Sequence, residues 1–218
     1  CTAVVVVAFG WLEGPPGAGD MVVLDAHGTV SVSSEETQKE VLAAAPITIT
    51  AENGNVTVRA RRAKNSGLLN WIWNGHTNTQ GRYTLHVPAN YNLDLNTAGG
   101  EISATSLTGT TKADTSGGDL KLTSLHGPIN AETSGGRIEI VSCEGAIDVE
   151  TSGGNIRAAG GNGSLRARTS GGAIAVGNFA GDANVERSGG RLKLENSGGE
   201  INVETSGGSI SAMLAAPG

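Results

Sequence analysis

The sequence predicts an all-β chain built as a two-sided parallel β-solenoid of about eighteen residues per coil, each coil being two nine-residue strand-turn units. Glycine recurs every nine residues from Gly100 and Gly109 through Gly118, Gly136, Gly154, Gly172 and Gly190 to Gly208, without insertion or deletion. After these glycines runs a Gly-x-Φ-x-Φ pattern, with the apolar pairs Leu120/Leu122, Ile138/Ile140, Ile147/Val149 and Ile201/Val203. Alternation with period two marks a half-buried strand, and the glycine marks its turn. Two turns also alternate. One is Thr-Ser-Gly-Gly, opening at Thr115, Thr133, Thr151, Thr169 and Thr205 with Thr97-Ala98 and Arg187-Ser188 as variants; the other carries an apolar residue at Leu107, Leu125, Cys143 and Phe179, with Gly161 and Ser197 breaking the series. Fixed-period self-similarity of this kind signals stacked units that bury one continuous core.

Other coils fit less well. A hexapeptide helix needs an apolar residue every six positions, whereas the spacings here run two, seven, two, seven. Calcium-binding nonapeptide rolls need a Gly-x-Gly-x-Asp turn, which is absent. Residues eighteen apart should then be neighbours about 4.8 Å apart on adjacent coils. That register sets Asp119/Arg137, Lys121/Glu139, Glu139/Arg157, Asp148/Arg166, Glu150/Arg168 and Arg168/Glu186 as opposite-charge pairs, against the like pairs Asp114/Glu132, Glu132/Glu150, Asp182/Glu200 and Glu186/Glu204. An antiparallel meander, the second choice, does not explain the alternating turns.

The elements fall in order along the chain. Residues 1–19 hold an apolar β-prone run, Ala3-Val4-Val5-Val6-Val7-Ala8-Phe9, then Trp11 and the turn-forming Gly14-Pro15-Pro16-Gly17. Residues 20–89 form a β-rich N-terminal part that caps the solenoid: strands at 21–24, 29–32, 47–50 and 56–59, a hairpin turn at Asn53-Gly54, a helix-prone segment from Ser34 to Ala45, and a strand over 83–87. Leu69, Trp71 and Trp73 alternate on one face and are read as capping the first coil. Residues 90–214 are the regular solenoid, in which Tyr91 takes the first glycine position, and 215–218 are a tail.

The run Val87-Pro88-Ala89-Asn90-Tyr91-Asn92-Leu93-Asp94-Leu95, followed by repeated Thr-Ser-Gly-Gly-x-Ile, resembles the bacterial adhesin family of β-solenoid repeat domains over roughly residues 20 to 212. The resemblance implies an envelope or surface solenoid, with no established catalytic residues to carry over.

Composition narrows the functional classes. A net charge of -6, with Arg59, Arg61, Arg62 and Lys64 as the main basic cluster, argues against nucleic acid. No run of eighteen apolar residues is present, so no spanning helix is expected. His27, His76, His86 and His126 lack metal-ligand spacing, and no nucleophile motif or phosphate loop appears, so no enzyme, cofactor or metal is expected. The column Asp114, Glu132, Glu150, Arg168, Glu186, Glu204 reads as a solvated face rather than a cation site, and the threonine series as hydroxyls bonding along the stack rather than an ice-binding plane.

Cys143 reads as a buried free thiol and Cys1 as a point of lipidation, with a Cys1–Cys143 disulfide as the rival; both readings of Cys1 place the chain outside the cytoplasm. The end of the repeats, with Ile210, Ala212 and Leu214 and no polar cap after them, reads as an open acceptor for the Ala3–Phe9 strand of another copy. The expected function is therefore a non-catalytic bacterial extracellular or cell-surface structural protein, adhesin-like, that joins head to tail with itself into a filament. The alternative is a monomeric envelope-anchored module that binds glycan or protein. In the filament reading Ala3, Val4, Val5, Val6, Val7, Ala8, Phe9, Trp11, Ile210, Ala212 and Leu214 form the subunit interface.

Overall fold

The computed structural model describes residues 2–9, 20–25, 31–36, 47–52, 55–60, 81–97, 99–195 and 198–213, with side chains at residues 87, 89–97, 99–195 and 198–213. It is an all-β solenoid, and the described residues contain no helix.

Two parallel ladders make the body. The first stacks β8 (Ile102–Thr105), β10 (Leu120–Thr123), the start of β12 (Ile138–Thr151), the start of β13 (Ile156–Thr169), β14 (Ile174–Gly177), β16 (Arg191–Glu195) and β18 (Ser209–Met213). The second stacks β7 (Asn92–Thr97), β9 (Thr111–Thr115), β11 (Ile129–Thr133), the ends of β12 and β13, β15 (Asp182–Arg187) and β17 (Ile201–Thr205). Partners differ by eighteen residues throughout, as in Ile138↔Ile156 and Val149↔Ala167, which is the register the repeat predicts.

The alternating pattern explains the core. Inward residues such as Leu120, Leu122, Ile138, Ile140, Ile147 and Val149 are buried in one continuous cluster. Each fully buried Leu or Ile stabilises the coil by about 1.5–3 kcal/mol. Parallel strands cannot end a stack unaided, and antiparallel strands close its N-terminal side. The first ladder continues from β8 to β1 (Thr2–Phe9), then β6 (Gly81–Pro88), then β3 (Ser31–Glu36). The second continues from β7 to β2 (Asp20–Asp25), then β5 (Asn55–Ala60), then β4 (Ile47–Glu52). The β4–β5 hairpin brackets Asn53-Gly54 as the turn signal requires.

Two expectations need correction. Ser34 to Glu36, read as the start of a helix, belong to β3, because pairing with β6 outweighs local helix preference; the rest of that segment lies outside the described residues, as do Leu69, Trp71 and Trp73. The apolar run Ala3–Phe9, read as a strand available to another copy, is hydrogen-bonded on both edges within its own chain, with Val5 opposite Leu85 on one side and Ala104 on the other. An eight-residue apolar strand beside a bare sheet edge finds that edge first when both are on one chain.

The charge pairs follow the register loosely. Arg168 meets Glu150 at 3.1 Å and also Asp148, twenty residues back, at 3.3 Å. Arg157 and Glu139 approach to 4.0 Å. Elsewhere a diagonal neighbour wins: Arg166 pairs Glu186 and Lys121 pairs Glu101. The expected Asp119/Arg137 pair becomes a bond from the Arg137 backbone N–H to Asp119 Oδ1 at 2.7 Å. These are exposed contacts worth about 0–1 kcal/mol each, so they tune the faces rather than hold the stack.

Candidate functional site

The site is built from the two turns of each coil and from the place where their pattern stops. In the Thr-Ser-Gly-Gly turns the threonine is interior, not a surface ladder: Thr97, Thr115, Thr133, Thr151 and Thr169 are all buried. Thr133 Oγ1 accepts from Gly136 N at 3.1 Å, closing its own turn, and donates to Gly118 O of the preceding coil at 3.1 Å. Thr115, Thr151 and Thr169 repeat both bonds. The hydroxyls therefore do bond along the stack, through glycine carbonyls rather than through one another. The glycine is obligatory for closeness: a Cβ on Gly136 would fall on the carbonyl of Gly118.

The other corner is held by burial. Leu107, Leu125, Cys143 and Phe179 are buried inside it. The chain reaches this corner through a left-handed residue, Ser106, Ser124, Ser142 or Asn178, with φ between 52° and 60°. Cys143 is free, so it forms no disulfide within the chain; its thiol is packed against the carbonyls of Leu122 and Val141. Burial raises its pKa, with backbone hydrogen bonds opposing. Cys1 itself lies outside the described residues.

At the C-terminal coils the threonine series breaks. Arg187 stands in the threonine column and is only 5% exposed. Thr205, one coil further, turns its hydroxyl to Gly207 O of its own turn at 2.7 Å, so that the hydroxyl does not bridge to the preceding coil as the earlier threonines do. Burial then falls away: Leu192 is 0% exposed, whereas its column neighbour Ile210 is 51% and Met213 is 67%. Every residue of β18 is exposed. Of the residues assigned to an interface, Ile210 and Ala212 thus lie on β18, which among the described residues is paired on one side only. Ala3 to Phe9 lie at the opposite end of that ladder, and Trp11 and Leu214 are outside the described residues.

Open depressions lie on the outer faces of the described coils. One, of about 400 Å³, runs along the second ladder beside Arg166, Asp182, Asn184, Glu200 and Asn202. Its Asn184 Oδ1 is buried without a partner. Another, of about 230 Å³, follows Asp114, Glu132 and Glu150. There Lys112 caps Asp114 at 3.3 Å, and that carboxylate raises the lysine pKa. Among the described residues no three metal-ligating side chains converge.

Arg187 is the residue that sequence reasoning passed over. Its signal was present as the Arg187-Ser188 variant of Thr-Ser, a long cation where the fold has room for a small hydroxyl. No family model, curated protein or solved structure matches the chain, and nothing in these comparisons bears on the adhesin resemblance.

Proposed function

We propose that the chain is a non-catalytic structural protein of the bacterial surface that extends end to end with further copies. The observation that carries this is the loss of burial from Leu192 to Ile210 along one column, which leaves the edges of β17 and β18 without a covering coil among the described residues. The other end offers a matching pair of edges, β3 in the first ladder and β4 in the second, each paired on one side only among the described residues. Counting strand directions from β8 through β1 and β6 to β3, and from β7 through β2 and β5 to β4, both junctions would be antiparallel. A contact between unlike ends propagates into a filament when its rotation does not close a ring. In this form the filament needs no exchanged N-terminal strand, and β1 stays in its own cap.

A second reading is favoured by the groove beside Asp182, Asn184, Glu200 and Asn202, whose flat amide and carboxylate groups suit the hydroxyls of an extended glycan. The two are separated by electron microscopy and sedimentation of the chain beside an Ile210→Lys/Ala212→Lys variant, since a lysine on an edge blocks strand addition. Filaments or concentration-dependent oligomers in the first and monomers in the second are expected. Monomeric rods at every concentration in both would overturn end-on assembly and leave the groove as the working surface.

A further inference from the structure

An arginine guanidinium keeps its positive charge and presents five N–H donors. At Arg187, Nη2 donates to Ser209 O at 2.8 Å. Nε and Nη1 are buried with no partner. None of the ion pairs among the described residues involves Arg187. The adjacent Glu186 is taken by Arg166 at 3.0 Å. A buried charge with one neutral partner is among the costliest arrangements a fold can hold, and it is relieved by an anion.

The surroundings leave a way in. Between the earlier Thr-Ser-Gly-Gly turns a threonine hydroxyl bridges each coil to the one before it. The two junctions flanking Arg187 have no such bridge: arginine replaces the first hydroxyl, and Thr205 has turned its own back to Gly207. Over the guanidinium lie the exposed start of β18 and the turn before it; the Ser206 N to Arg187 O and Ser209 N to Gly190 O bonds at 3.2 and 3.3 Å tie the turn to the preceding coil, and from Ser209 onward β18 is paired with β16. With no strand on its other side among the described residues, this exposed pairing opens at lower cost than the buried coils before it.

We infer that Arg187 is an oxyanion-binding site between the last two coils, taking a carboxylate or phosphate group as its counter-ion. This goes beyond end-on assembly and does not depend on it. The test is thermal unfolding of the full chain, at a concentration where sedimentation shows monomers, in inorganic phosphate, in acetate and in chloride at matched ionic strength. Arg187→Thr, which restores the column, and Arg187→Gln are measured alongside. Wild-type Tm should rise saturably by about 2–4 °C in phosphate, acetate or both relative to chloride, and neither variant should respond. The better anion distinguishes a phosphate from a carboxylate source. An equal rise in all three chains, reflecting general anion effects, or no rise in wild type, would overturn the site.

Discussion

The two turns of each coil solve one problem by unlike means. Both must reverse the chain within a few residues and seal the core at that edge. The Thr-Ser-Gly-Gly turn does so with polar groups: a buried hydroxyl bonded in two directions and a glycine that lets one coil sit against the next. The opposite corner does so with apolar mass, Leu107, Leu125, Cys143 or Phe179, reached through a left-handed serine or asparagine. Hydrogen bonds reward sameness, and the polar turn keeps its threonine from Thr97 to Thr169. Burial rewards filled volume, and the apolar corner varies from Gly161 to Phe179.

That contrast is broken most severely at Phe179. It is fully buried above Gly161, which offers no side chain, so Phe179→Ala should cost about 3–5 kcal/mol in urea unfolding, because nothing in the column can fill the space. Next is Gly136→Ala, expected to cost about 3 kcal/mol by forcing two coils apart. Thr133→Val keeps the shape and strands Gly136 N and Gly118 O; a loss of about 1–3 kcal/mol is expected, and a loss below about 0.5 kcal/mol would show that the hydroxyls merely fill space. Smallest is Ser124→Gly, which relieves a φ of 53° and should change stability by less than about 1 kcal/mol, in the stabilising direction.

The corner also makes a pH prediction. Burial raises the Cys143 pKa, so the unfolded chain ionises first as pH climbs past the ordinary thiol value. Stability linked to this thiol is therefore intact below that value and lost above it. Cys143→Ala should flatten the decline measured between about pH 8 and 10, and a thiol reagent should label Cys143 only on unfolding.

Much of this was legible because the repeat is strict. A single nine-residue spacing sets the strands, the register and the inward columns, and pairs such as Leu120↔Ile138 follow from counting alone. What counting did not give is where the pattern is broken or absent. The β1 strand has no repeat to index it, so its in-chain pairing with β6 and β8 required knowing which edges were bare. Ser34 to Glu36 have helix-prone composition and are strand by pairing. The left-handed serines precede the corner residue in the sequence, yet serine carries no strong preference for positive φ, and only the geometry of the corner demands it. Arg187 sat in plain view, but an arginine in an alternating pattern is ordinarily an outward residue.

The unbroken offset of eighteen residues makes the length of this molecule a counted quantity. Each coil adds about 4.8 Å of rise and returns the chain to the same two faces. Deleting residues 118–135, or duplicating them, would leave every remaining partner opposite an equivalent one, whereas removing seventeen would turn each following strand inside out. Such a chain can lengthen or shorten by whole steps over evolutionary time, as a ruler is recut at its own graduations, while both ends stay unchanged.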